Sequence, residues 1–356
     1  MYSESEIEAA VAAGALTPAA AQGLRAHIAA TRSTPAVDEE SFRLLTGFND
    51  IFVTIALILT LTAVSWIGGS IHPLIGSAAV AAAAWGLAEF FTRQRRMALP
   101  SIALLIAFVG SVASTLTLLI VSNAEPIGAW LDSITGSQNG QIAAVGVLGA
   151  VISAMTAAAA WLHWRRFMVP ITVAAGAVAV VAIAMSLIFG MIPAARDAVY
   201  PIVLVAGLVM FAYAMRWDMS DLQRRTRRSD VAFWLHLAAA PMIAHALFNM
   251  LGVFDGEMLA GTAVVVLVLY VSFGFVALAV DRRALLVSSL VYVLYALYAL
   301  FQRAGAVELS AAFTALVIGS ALLTLSAFWQ PMRRRVVGTL GNLAERLPPV
   351  PQAAVD

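Results

Sequence analysis

The sequence predicts an all-α, polytopic membrane protein of about ten transmembrane helices, with both termini in the cytoplasm. Three observations predict it. Hydrophobic residues make up 62% of the 356-residue chain and charged residues 12%, and the mean hydropathy is +0.90. A soluble domain carries about twice that charge fraction. Ten apolar runs each approach the roughly 20 residues needed to cross about 30 Å of hydrocarbon at 1.5 Å per residue. Arginine, finally, gathers in alternate connectors.

Taken in order, the expected spans are 48–69, 72–91, 99–122, 142–162, 169–190, 200–215, 231–251, 259–280, 284–301 and 309–328. The first two are separated by Gly69-Ser70-Ile71-His72-Pro73, a tight turn whose proline opens the second helix. The sixth reads as short and begins at Tyr200-Pro201, which calls for little tilt or local thinning of the bilayer. The positive-inside bias sets direction. With the amino terminus inside, 19 of the 21 basic residues fall on the cytoplasmic side, leaving only Arg196 and Arg303 outside. The exterior loops carry Glu125, Asp132, Asp197, Asp255, Glu257 and Glu308 instead. The longest of them, 123–141, is expected to hold an interfacial helix near 126–134, with Trp130 at headgroup depth. The longest interior loop, 216–230, mixes Asp218 and Asp221 with arginines and reads as a solvated helical turn and a candidate site for anionic lipid or a partner.

The division expected is a cytoplasmic helical hairpin (1–30), a linker (31–47), a transmembrane domain (48–328) and a cytoplasmic tail (329–356). In the hairpin, Ser5 is placed to cap one helix, Gly14 to end it, and Thr17-Pro18 to start the next. Ile7, Val11, Leu16, Leu24 and Ile28 form a small apolar seam on which a protein partner is able to dock. The tail contains an amphipathic stretch (Val336, Val337, Leu340, Leu343) and a proline-rich tip, Leu347-Pro348-Pro349-Val350-Pro351, read as extended or disordered.

The stretch Ile7 to Ile28, an acidic helix, a glycine, a Leu-Thr-Pro turn and a second helix, resembles the amino-terminal hairpin of bacterial multispanning inner-membrane proteins. These are known only by a domain of unknown function. The resemblance implies the same architecture and a bacterial inner-membrane location; it carries over no catalytic or binding residue.

Four interior connectors share two arginines, two variable residues and an aliphatic: Arg95-Arg96 before Leu99, Arg165-Arg166 before Val169, Arg227-Arg228 before Val231 and Arg282-Arg283 before Leu286. Proline follows in the first two (Pro100, Pro170), and Ala-Ala-Ala-Ala-Trp precedes them at 81–85 and 157–161. Either the hairpins are repeats, an arrangement that places transporter sites at repeat interfaces, or selection for positive-inside turns generates the pairs.

Ionisable groups within spans are the first functional suspects, because burial in hydrocarbon is costly without a partner or cavity. Asp50 lies about one turn inside the first span. Glu89 sits four residues before Arg93, which puts both on one helical face as an interfacial ion pair. The seventh span holds His236, Pro241, His245 and Asn249. Pro241 removes a backbone hydrogen bond and is expected to kink the helix, and His245 and Asn249, one turn apart, share a face. Imidazoles there can relay protons or bind metal, though a metal site would want a third ligand at matched depth, or each can simply bond a neighbouring helix. Tyr292, Tyr295 and Tyr298 with Ser288 and Ser289 in the ninth span, and Ser111, Ser114, Thr115 and Thr117 in the third, suit interhelical hydrogen bonding.

The chain has no cysteine and no lysine, which excludes disulfides, thiolate metal sites and Schiff-base cofactors. No cofactor or metal is expected, since no His-Glu-x-x-His, phosphate loop or Gly-x-Ser-x-Gly occurs. The charge of +1 argues against nucleic acid as a partner. The reading is a non-enzymatic integral membrane protein for small-molecule or ion translocation, with His245 and Asn249 on the cargo and Asp50 or His236 handling protons. The alternative is a non-transporting scaffold or sensor whose hairpin, 4–30, binds a partner.

Overall fold

The computed structural model describes residues 4–31, 48–224, 226–253, 260–303 and 309–350, and among them every regular element is helical. The chain divides into two compact units, Met1–Arg43 and Leu44–Asp356. In the first, α1 (Glu4–Ala12) and α2 (Pro18–Thr31) form a hairpin. Gly14 supplies the left-handed φ of +71° that the turn needs. The Thr17 hydroxyl accepts from the Ala20 amide at 3.1 Å, capping α2 where Pro18 opens it. Ile7 and Ala21 are buried, whereas Leu24 is exposed. The Ser5 and Ile28 side chains, and the linker from 32 to 47, lie outside the described residues.

The second unit holds the ten spans. They are α3 (Phe48–Ile71), α4 (Pro73–Ala88) with a π-helical extension Glu89–Gln94, and α5 (Ala98–Val121). The short α6 (Ala124–Thr135) follows, then α7 (Gln138–Phe167), α8 (Ile171–Met191), a 3-10 turn Pro193–Ala198 and α9 (Val199–Met219). The remainder are α10 (Arg227–Met250), α11 (Ala260–Val280), α12 (Ala284–Arg303) and α13 (Ser310–Ala327). Ten of these helices are long and apolar enough to cross a membrane, so the chain is a multi-pass, all-α membrane protein. Beyond them α14 (Trp329–Gly338) and a 3-10 turn (Gly341–Arg346) form the tail.

The sixth span corrects its expectation. Counting its 3-10 lead-in, it runs Pro193–Met219, 27 residues, because Arg216 and Asp218 stay helical instead of ending it. The interior loop therefore shrinks to 220–226, and Asp218, expected in solvent, is buried. The interfacial helix is α6, and it leaves Trp130 exposed. In the tail, Trp329, Arg333 and Val337 are buried at one-turn spacing.

Helix hairpins close on glycine. At the α3–α4 turn His72 caps α4 by accepting from the Leu74 amide at 3.2 Å, and a Cβ on Gly68 would lie 2.7 Å from the Gly76 Cα. At the same end of the α7–α8 pair, a Cβ on Gly146 would lie 2.6 Å from the Gly190 Cα. These are backbone-to-backbone crossings that only glycine permits, the packing device of helices in lipid.

The opposite end of the bundle carries the arginine-rich turns. Each of the four has one non-glycine residue in the left-handed region: Arg96, Met168, Arg224 and Asp281. That residue falls at a different place relative to each arginine pair, so the turns share a composition and not a backbone register.

Among the spans α10 is the most enclosed: 56% of its apolar window is buried, against 11–44% for the others. It packs on α8, α9 and α12, and its Ile243, Ala244 and Phe248 join Val266, Phe273, Val293 and Ala296 in one core. The helix continues through Pro241.

Candidate functional site

The seventh span separates the residues that its sequence groups together. His236 lies about two and a half turns into α10 from its arginine-rich end, 3% exposed, and its Nε2 lies 2.8 Å from Asp218 Oδ2. His245 lies towards the opposite end and is exposed. Its Nδ1 is 2.6 Å from the Tyr292 hydroxyl on α12, and the Tyr200 ring meets it edge-on at 6.0 Å. Asn249 turns back on the same helix, donating to the His245 carbonyl at 2.8 Å. Tyr292 is buried and stacked on Phe248 at 4.3 Å, while Tyr295 and Tyr298 are exposed. Each imidazole thus bonds a neighbouring span.

Asp218 belongs to a larger assembly. It sits in the last turn of α9, where the helix dipole disfavours an acid. Arg282 offsets this: its Nη2 donates to Asp218 Oδ1 at 2.6 Å and to the Ser229 carbonyl at 3.0 Å. Next to it the polarity is reversed. Arg224, from the α9–α10 turn, donates to Asp281 Oδ2 at 2.8 Å and to the Val280 and Asp281 carbonyls that end α11. Each turn thus gives an acid and an arginine to the other, a reciprocal clasp. Trp329 Nε1 donates to Asp281 Oδ1 at 2.7 Å, which draws α14 in. The fully buried Arg333 donates to the Pro348 carbonyl at 2.5 Å and the Pro349 carbonyl at 3.2 Å, holding the tip against α14. Residues 351–356 lie outside the described residues.

A different region is open. A groove of about 1050 Å³ runs between α3 and α5 with α4 as its floor, lined by Thr54, Thr62, Ser65, Ser77, Ser111 and Ser114 among apolar neighbours. Its volume sits at the top of the range for small-molecule sites, about 300–1,000 Å³. The α3 lining runs from Thr54 to Ser70, about 24 Å of rise at 1.5 Å per residue, most of a hydrocarbon core. Two of these hydroxyls, Thr54 and Ser77, are bonded within the helices. Thr54 donates to the Asp50 carbonyl at 2.7 Å, and Thr115 bonds both the Ser111 carbonyl and the Ser77 hydroxyl, joining α5 to α4. A hydroxyl bonded to its own helix, as these two are, sits in hydrocarbon at low cost yet keeps a lone pair for a ligand. Asp50, one turn below Thr54, is 3% exposed. His245 does not border this groove.

At the arginine-rich end α4 finishes as a π-helix, an irregularity common at functional positions. There Glu89 pairs with Arg93 at 3.2 Å, and also takes a two-pronged contact from Arg166 of α7, Nε to Oε1 at 2.6 Å and Nη2 to Oε2 at 2.9 Å. Arg95 lies over the Phe90 ring and Arg165 over Trp161. Behind them His163 is fully buried in a box of Trp85, Phe108 and Phe167, with Nδ1 3.3 Å from the Thr172 hydroxyl.

The residues singled out in the sequence therefore do not converge. Glu89 and Arg93 pair, His245 and Asn249 are adjacent, and Asp50 and His236 stand apart from them on α3 and beside α9. The sequence placed Asp218 and Arg224 only in the solvated loop 216–230, as part of a candidate lipid or partner site, and did not single out Arg282, Asp281, Arg333 or His163 as site residues. Two signals were available: an aspartate two residues past Arg216 interrupts a basic connector, and Asp281 stands directly before an arginine pair. Among the described residues no three His, Asp or Glu side chains are grouped to hold a metal ion. No protein-family model, curated protein or solved structure matches this chain.

Proposed function

We propose that this protein translocates a small amphiphile between the leaflets of a bacterial cytoplasmic membrane, along the groove formed by α3, α4 and α5. The groove carries the reading. It spans most of the hydrocarbon depth, opens sideways to lipid, and presents hydroxyls from three helices at depths where a polar headgroup has no water. An amphiphile reaching such a groove from the bilayer keeps its chains in hydrocarbon while its headgroup exchanges hydrogen bonds along the wall. The positive-inside bias places the arginine-rich end, both termini and the hairpin 4–30 in the cytoplasm. The clasp between the α9–α10 and α11–α12 turns makes α9–α12 the rigid half against which α3–α5 works. His236 is committed to that clasp and His245 to Tyr292, so the cargo contacts move from the seventh span to the groove, with Asp50 at its cytoplasmic foot.

The second reading, a non-transporting scaffold or sensor with a partner on the hairpin, draws support from the enclosure of α10. One assay separates the two. Purified protein in phospholipid vesicles carrying a headgroup-labelled fluorescent lipid is challenged with an impermeant quencher. Translocation predicts loss of signal from both leaflets, slowed about tenfold by Ser111→Phe, which fills the groove. Signal loss confined to the outer leaflet, as in protein-free vesicles, refutes translocation and leaves the scaffold.

A further inference from the structure

The turns at the arginine-rich mouth of the groove carry more positive charge than their internal pairing consumes. Arg93, Arg95 and Arg96 come from the α4–α5 turn, and Arg165 and Arg166 from the end of α7. All five are exposed, and Glu89 bridges the two turns through Arg93 and Arg166. Among the described ion pairs it is the one carboxylate in the group, so five guanidiniums face one acid. This is no loose fringe of flexible side chains. Glu89 fixes Arg166, Phe90 supports Arg95 at 5.3 Å, and Trp161 supports Arg165 at 5.1 Å. Trp161 and Phe90 are themselves exposed, as are aromatic anchors at headgroup depth. The chain then runs from Arg95 and Arg96 through Met97 and Ala98 straight into Leu99 and Ile102, which line the groove.

We infer that these turns form a recognition site for the phosphate of an anionic lipid headgroup, so that the translocated amphiphile is an anionic phospholipid. This deepens the translocation reading and rests on it for the word translocated; recognition itself stands on the arginine turns alone. Guanidinium forks match phosphate oxygens in pairs, and arginines already held against a ring or an acid lose little freedom on binding. Arg95 and Arg96 are the two that carry no carboxylate in this group, and they stand nearest the groove in sequence. Free phosphate shares the chemistry but has no acyl chains to lie along the groove, so a lipid is the occupant.

The test uses the full chain and two measurements. Binding of phosphatidylglycerol and of phosphatidylcholine is read by native mass spectrometry of detergent-solubilised protein, for wild type, Arg95→Gln/Arg96→Gln and the charge-keeping Arg95→Lys/Arg96→Lys. Phosphatidylglycerol is expected to bind preferentially, and the Gln pair to lose about 25-fold in affinity, at about fivefold per interfacial arginine. The Lys pair is expected to recover most of it, which separates lost charge from lost folding. Millimolar inorganic phosphate is expected to leave lipid binding unchanged; displacement by it would reassign the site to a free anion. Translocation of the two lipids is then compared in the vesicle assay. Equal binding of both lipids, or a Gln pair that binds as wild type does, overturns the inference even if lipid moves. Preferential binding without movement of either lipid upholds recognition and overturns translocation.

Discussion

Replacing Asp218 by Asn tests whether the clasp holds α9–α12 together. The carboxylate is 1% exposed and faces Arg282 Nη2 at 2.6 Å, Arg282 Nε at 3.4 Å and His236 Nε2 at 2.8 Å. The amide is isosteric and keeps one acceptor oxygen, yet it leaves the buried Arg282 guanidinium, 7% exposed, without its counter-charge. Removing one member of a buried ion pair costs about 3–5 kcal/mol, and the retained acceptor puts Asn at the lower end, about 3 kcal/mol. That is roughly a 150-fold change in the folded-to-unfolded ratio, at 1.36 kcal/mol per decade.

The double variant Asp218→Leu/Arg282→Met provides the control. Apolar replacement of a whole buried pair is often neutral or stabilising, but here it strips a partner from His236 and from the Ser229 carbonyl, each worth about 1–3 kcal/mol when left unsatisfied. The double variant should therefore lie closer to wild type than the sum of its two single variants, with a coupling of about 2 kcal/mol or more. Reversible denaturation by sodium dodecyl sulfate in mixed micelles, followed by tryptophan fluorescence, measures both. An Asn variant within about 1 kcal/mol of wild type, or strictly additive single variants, would refute the clasp as a structural unit.

The α7–α8 crossing makes a second case: Gly146→Ala places a methyl 2.6 Å from the Gly190 Cα and the Ser186 carbonyl, and the overpacking should cost about 1–3 kcal/mol in the same micelle assay. Tyr292→Phe removes the hydroxyl 2.6 Å from His245; one interhelical bond in lipid is worth about 0.6 kcal/mol, so a small loss of stability with unchanged lipid flux is expected. A large loss of flux would return cargo contact to His245. Arg333→Ala frees the Pro348 and Pro349 carbonyls, and trypsin should then cut after the exposed Arg346 faster than in wild type, as read by mass spectrometry of the released tip. Unchanged cleavage would show that α14 retains the tip without Arg333.

The ten spans were legible because hydropathy acts locally. Whether a segment enters hydrocarbon depends on the sum of its own transfer energies, and a window of about 20 residues contains that sum. Helix starts were legible for the same reason: Thr17 caps α2 next to the backbone it serves, and Pro18 and Pro73 open the helices that follow them. The sixth span was misjudged because Arg216 and Asp218 read locally as a polar end. Their helix continues because Asp218 meets Arg282, a residue 64 positions away.

The site depended on rotation and neighbour choice, which no window holds. His236 and His245 share a span and a chemistry, yet one faces α9 and a buried acid while the other faces α12 and a phenol. The hydroxyls of α5 read as packing groups, and they share one groove with those of α3 and α4 only through the way the three helices pack. By itself the sequence determined which segments are helices, which enter lipid and where the arginines gather. Tertiary structure alone decided which acid meets which arginine and which hydroxyls share a space, because a helix in hydrocarbon gains no hydrophobic energy from choosing its neighbour. That choice rests on close fits, such as Gly146 on Gly190, and on a few buried charges that must each find their opposite.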